Sequence, residues 1–229
     1  GMETKSVLDG VTKGDIHLNP FPHVNIRHAV ADDLCLKLIK ELPSLGTICK
    51  DKKDKNCNAS NKRLNYYTRE ILENPSISQL WKDFVRVHVA SEFWHRVVYI
   101  FGEPIKDLYP QLGEIENMRV GIRGIDSFKN ADILLEAQIA TNTPVTTKPS
   151  SVRSYHFDSP NELFAGLFYL RHPEDDSVGG NLELYKFKKQ KYVFKPRLNN
   201  KYLEKVEEIK YARNTLVFFI NSPFSIHGV

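Results

Sequence analysis

The chain has 229 residues, 41% of them apolar and 26% charged, a globular composition that excludes a disordered, collagen-like or coiled-coil chain. Lys and Arg number 32 against 28 Asp and Glu, a net charge of +4, too mild to demand nucleic acid or an anionic membrane as partner. The longest apolar runs, Val97 to Phe101 and Leu216 to Ile220, fall far short of the ~20 residues that span a bilayer, so no membrane association is expected.

Residues 32–42 place Leu34, Leu38 and Leu42 on one helix face, with Asp32 or Asp33 as a start signal and Pro43 as a stop. Cys35 sits in that pattern as a small core residue. Residues 50–62 are rich in Lys and Asn and read as a loop, flanked by Cys49 and Cys57. Three cysteines without a C-x-x-C spacing predict no disulfide framework and no structural zinc, hence a reducing compartment, the cytoplasm. From Ser76 to Phe101, apolar residues recur every three or four positions, as in a helix with one buried face, and Gly102 and Pro104 are expected to end it.

After residue 115 the period drops to two. Met118, Val120 and Ile122 alternate with Arg119, Gly121 and Arg123. Strands are predicted at 133–139, 154–158, 163–170, 182–187, 191–195, 207–211 and 216–220. Short strands with turn residues between them suggest an antiparallel sandwich or barrel. The expected architecture is mainly β with N-terminal helices, an α+β class. Residues 1–229 form a single composite domain, with about 20–115 as helical support and about 116–229 as β core.

The chemistry-bearing pattern is His156-Phe157-Asp158 with a distant His227. In a strand, residues i and i+2 face the same side, so His156 and Asp158 project together. Two imidazoles and one carboxylate leave coordination positions open, an arrangement that suits non-haem Fe(II). His17, His23, His28, His88, His95 and His172 form no ligand-spaced set.

The order His-x-Asp, Tyr169-Leu170, Gly179-Gly180, an aromatic strand and His227-Gly228-Val229 resembles the prolyl-hydroxylase-like branch of the 2-oxoglutarate and Fe(II)-dependent oxygenases. The resemblance covers roughly residues 133–229. It implies a double-stranded β-helix, a jelly-roll core packed against the helices. It implies iron held by His156, Asp158 and His227 as metal and catalytic residues. It implies 2-oxoglutarate contacted by Tyr169, with Gln138 and Asn142 as further candidates, and O₂ as co-substrate. The implied reaction is hydroxylation of a C–H bond in a peptidyl residue, amino acid or small metabolite, with release of succinate and CO₂. Alternatives are a cupin-type metal enzyme, a non-catalytic jelly-roll metal-binding module and a nucleic-acid demethylase.

The family places a basic residue beyond the distal His, and here the sequence given ends two residues after His227. A further C-terminal segment is expected first, then a substitute among Arg119, Arg123, Arg153, Arg171 and Arg213, or else chemistry that does not use 2-oxoglutarate. Residues 186–197 carry six basic and three aromatic residues. An exposed hairpin with protective lysines accounts for them, so nucleic acid is not an expected partner and a small-molecule or peptidyl substrate is.

Overall fold

The computed structural model describes residues 6–53, 57, 59–60, 62–142, 162–173, 175, 182–187 and 203–228. In chain order these form β1 (His23–Arg27), α1 (Asp32–Lys40), α2 (Leu45–Lys52), β2 (Arg63–Tyr66), α3 (Thr68–Glu73), α4 (Gln79–His88), α5 (Ser91–Leu108), β3 (Val120–Ile122), β4 (Ile133–Leu135), β5 (Ile139–Asn142), β6 (Phe164–Tyr169), β7 (Leu182–Phe187), β8 (Leu203–Ile209), β9 (Thr215–Ile220) and β10 (His227–Gly228). Two compact units emerge, each assembled from three stretches of chain. The first takes residues 1–9, 36–99 and 114–152; the second takes 10–35, 100–113 and 153–229. No helix among the described residues is long and apolar enough to cross a membrane.

In the first unit, Ser44 and Ser78 cap α2 and α4 by accepting from the Thr47 and Trp81 backbone N–H groups. The helical period seen from Ser76 onward is two helices, broken at Val89, whose N–H bonds back to Arg86 O. Two buried indoles are satisfied by carbonyls: Trp81 donates to Leu38 O and Trp94 to Ile115 O. The strands make two short ladders, β2 antiparallel to β5 and β3 parallel to β4. Gly121 on β3 is obligatory. A Cβ there would lie 2.8 Å from Asp126 Cβ and 2.9 Å from Ala131 Cβ.

The second unit contains two three-stranded antiparallel sheets, ordered β1-β9-β6 and β10-β7-β8. Between them lies an apolar cluster of Phe21, Leu182, Leu184, Ile209, Val217 and Phe219, with Ala165, Leu167 and Tyr169 packed against it. The other face of β9 turns to a helix, where Phe218 stacks on Phe101 of α5 and on Phe164 of β6. Covered on both sides, β9 is buried at all six positions. That explains its unbroken run Thr-Leu-Val-Phe-Phe-Ile.

Three expectations are corrected. The strands do not close into a double-stranded β-helix: the described residues form four separate open sheets of three, three, two and two strands. Strands expected to extend a jelly roll, β3, β4 and β5, are spent in two-stranded ladders, and among the described residues no ladder joins the two larger sheets. The described residues also form five α-helices, so the class is mixed α/β rather than mainly β. Second, α5 runs through Gly102 and Pro104 to Leu108. Buried Ile100, Phe101 and Ile105 hold that stretch by packing, which outweighs the local breakers. Third, Cys49 and Cys57 are joined in a disulfide, while Cys35 is a buried free thiol as expected. The strand expected at 154–158, the turn at Gly179-Gly180 and most of the basic segment 186–197 lie outside the described residues.

Candidate functional site

In an antiparallel ladder, directly opposed residues share a face. His23 opposes Phe219, Asn25 opposes Val217 and Arg27 opposes Thr215. Tyr169 opposes Thr215 from the other side. Since Val217 and Phe219 belong to the inter-sheet cluster, the inner face of this sheet carries a polar row, His23, Asn25 and Thr215, running beside Tyr169.

The row is incompletely satisfied. Among the described residues, Asn25 Oδ1 and Thr215 Oγ1 are buried without a hydrogen-bond partner, and His23 Nε2 makes no contact of hydrogen-bond geometry. His23 is fully buried, and its Nδ1 lies 2.8 Å from Phe21 O. A carbonyl can only accept, so Nδ1 carries a proton. Nε2 stands 3.2 Å from Glu207 Oε2 on β8, an ion-pair distance when the ring is protonated. The His17 ring stacks on His23 at 5.3 Å between centroids.

At one end of the row the surroundings are aromatic and charged. Tyr169 meets Tyr211 edge to face at 5.3 Å. The Arg171 guanidinium lies over the Tyr211 ring and donates to the Tyr211 and Asp175 carbonyls. Burial pushes the Tyr211 hydroxyl above its ordinary pKa, with the Asp175 charge adding and Arg171 opposing. Arg171 is therefore spent on structure, as are Arg119 and Arg123, which pair with Asp132 and Glu136 in the first unit.

At the other end stands His227, buried on β10, its ring 4.8 Å from that of Phe219. Its Nδ1 lies 2.9 Å from Ser225 O, so Nδ1 carries a proton. His156 and Asp158 lie outside the described residues. Tyr169 is half-buried on β6 against the inter-sheet cluster. Gln138 and Asn142 are exposed and belong to the first unit, Asn142 on β5 opposite Arg63.

No family model matches the chain, and no curated protein matches it. The resemblance to the prolyl-hydroxylase-like oxygenases is not supported, because the described residues form no closed β-helix of the kind that places three ligands on one rim. Among the described residues no group of three or more His, Cys, Asp or Glu could hold a metal ion. The iron- and 2-oxoglutarate-dependent dioxygenase activity therefore finds no support. Nor do the cupin-type enzyme, the jelly-roll metal-binding module or the nucleic-acid demethylase.

Sequence reading passed over His23, Asn25 and Thr215. The signal was present: in His23-Val24-Asn25-Ile26-Arg27 polar and apolar residues alternate with period two. Five residues between proline-rich and helical segments carried too little pattern to stand out as a strand.

Proposed function

We propose that the second unit binds a small hydroxyl- or amino-bearing molecule, or the end of a peptide, between its two sheets. The observation that carries this reading is a pair of buried polar atoms, Asn25 Oδ1 and Thr215 Oγ1, that find no partner among the described residues on one inner face, beside the His23–Glu207 pair. Each such orphan costs about 1–3 kcal/mol, so a folded chain keeps them where something completes them. Asn25 Oδ1 accepts, the Thr215 hydroxyl can accept, and Glu207 adds a carboxylate. A ligand rich in N–H or O–H donors fits that inventory.

Thr215→Val separates function from stability. It removes the hydroxyl and keeps the β-branched shape that suits a strand. Without an orphan to bury, the variant should gain about 1 kcal/mol in denaturant unfolding. It should also lose the ligand-observed NMR signals that the wild type gives in a panel of amino acids, polyols and short peptides. A variant that loses stability would mean the hydroxyl is already satisfied, and the reading would fall.

A second reading concerns a metal ion at His156, Asp158 and His227. The Nδ1–H bond of His227 to Ser225 O supports it, since such a bond orients a ligating imidazole. Fe(II) is the ion to offer first, with 2-oxoglutarate and O₂ as co-ligands and no reaction assigned to them. Anaerobic Co(II) titration should give ligand-field absorption in the visible that His227→Ala and Asp158→Ala abolish. Equal spectra from all three proteins would end the assignment. We propose a cytoplasmic location, in whose reducing poise the Cys49–Cys57 bridge would be an exception among disulfides.

A further inference from the structure

The Cys49–Cys57 bridge belongs to the first unit, whereas the proposed ligand site is built from residues of the second. Cys49 is in the last turn of α2 and Cys57 precedes β2, eight positions on, with their Cα atoms 6.2 Å apart. Both residues are half-exposed, and Lys50 and Lys53 beside Cys49 are exposed. Neighbouring cations favour the thiolate, the form that leaves and attacks in exchange.

α2 does not depend on the bridge for its position. Ile48 is buried. The Tyr66 hydroxyl donates to Asp51 at 2.5 Å and accepts from Asn74, and burial with the Asp51 charge pushes its pKa up to about 12. Lys52 pairs with Glu70 at 2.9 Å and lies over the Tyr67 ring. These contacts remain when the sulfurs part. Opening the bond releases Cys57 from α2. The remaining cysteine, Cys35, is a buried free thiol.

We propose that Cys49–Cys57 is a reversible redox pair, opened by a cellular dithiol reductant to release Cys57 from the end of α2. The reductant's thiolate attacks one sulfur, the Cys49–Cys57 bond breaks, and a mixed disulfide forms as the other cysteine leaves as thiolate. The reductant's second thiol resolves the mixed disulfide. The pair gains two electrons and two protons, and the reductant departs as its own disulfide.

The full chain is equilibrated in glutathione buffers from reducing to oxidising and labelled with a heavy maleimide under denaturing conditions. Two thiols beyond Cys35 should appear in the reducing buffers and disappear in the oxidising ones, in both directions of approach. In the native state, trypsin should cut after Lys53 about tenfold faster in the dithiol form, as expected when a tether is lost locally. The double variant Cys49→Ser/Cys57→Ser should cut at the dithiol rate, with the circular dichroism of the wild type. A pair that stays oxidised in the most reducing buffer would be a permanent staple. A pair that never oxidises would be no bond at all. Equal trypsin rates in the two states would leave no switch. Each of these results overturns the proposal.

Discussion

His88 shows how far one side chain's chemistry is decided by its surroundings. Its Nδ1–H donates to Phe84 O at 2.6 Å, and its Nε2 accepts the Val7 N–H at 3.1 Å. Phe84 and Phe93 pack against the ring. Burial lowers its pKa from the ordinary 6.5, outweighing the Phe84 carbonyl and the Asp9 charge, which favour the cation. The folded chain holds His88 neutral, and the unfolded chain takes up a proton as pH falls through about 6.5. Stability should be flat above that point and fall below it, by at most about 1.4 kcal/mol per pH unit, until the folded-state pKa is reached. Denaturant unfolding at successive pH values checks this, and His88→Gln should flatten that part of the profile. A slope unchanged in the variant would assign the pH dependence elsewhere. None of this was legible in the sequence, where His88 lacked any partner at ligand spacing. Its partner is a backbone N–H 81 positions away.

Asn214 is a second case at the same scale. It holds a left-handed backbone, φ 58°, just before β9. Its side chain accepts from the Val30 N–H and donates to Val30 O and Asp32, while its backbone N–H donates to Tyr169 O. Asn tolerates this conformation, and Ala does not. Asn214→Ala should cost about 2–4 kcal/mol, the sum of buried hydrogen bonds and backbone strain. Asn214→Gly removes the strain and keeps the hydrogen-bond loss. The difference between the two variants in chemical denaturation measures the strain directly. Equal losses would place the whole cost in the side-chain bonds.

At the scale of elements, what the sequence displayed depends on how each element is held. α1, β7 and β9 stood out because burial on one or both faces writes a pattern into the residues. α2 did not, since it buries only Ile48 and is held by its Ser44 cap, the Lys52–Glu70 pair and the Asp51–Tyr66 contact. Pro104 misled for the opposite reason: a local breaker inside a helix whose packing is long-range. β9 makes that dependence measurable. Phe218 is clamped between Phe101 and Phe164 at 5.0 and 4.9 Å. Phe218→Ala should lose about 3–5 kcal/mol, the usual cost of an emptied aromatic site. Gly166 lies under the same ring, where a Cβ would meet Phe218 Cδ2 at 3.0 Å. Gly166→Ala should therefore cost less than Phe218→Ala, the ring shifting by a few tenths of an ångström. Thermal unfolding of both variants tests the ranking, and a larger loss from Gly166→Ala would mean the clamp is rigid.

At the scale of the whole molecule, sequence periodicity divided the chain at about residue 115, helices before and strands after. The contacts divide it differently. The second unit draws on residues 10–35 and 100–113 as well as 153–229. β1, from the N-terminal stretch, is hydrogen-bonded to β9 along its full length, and Phe21 completes the inter-sheet cluster. Such pairing joins positions almost 200 apart and leaves no trace in a local pattern, which is why a β core confined to 116–229 looked self-sufficient. A fragment of residues 116–229 would lack β1 and the Phe101 ring, expose both the edge and the outer face of β9, and leave Val217 and Phe219 partly uncovered. An uncovered apolar edge strand invites association. The fragment should show poor amide dispersion in NMR and elute as aggregate, while the full chain gives dispersed signals. Adding a synthetic peptide of residues 10–35 should recover part of the dispersion. A fragment that folds alone would mean that β1 is an accessory strand, and that the polar row of His23 and Asn25 is not built into the core of the unit.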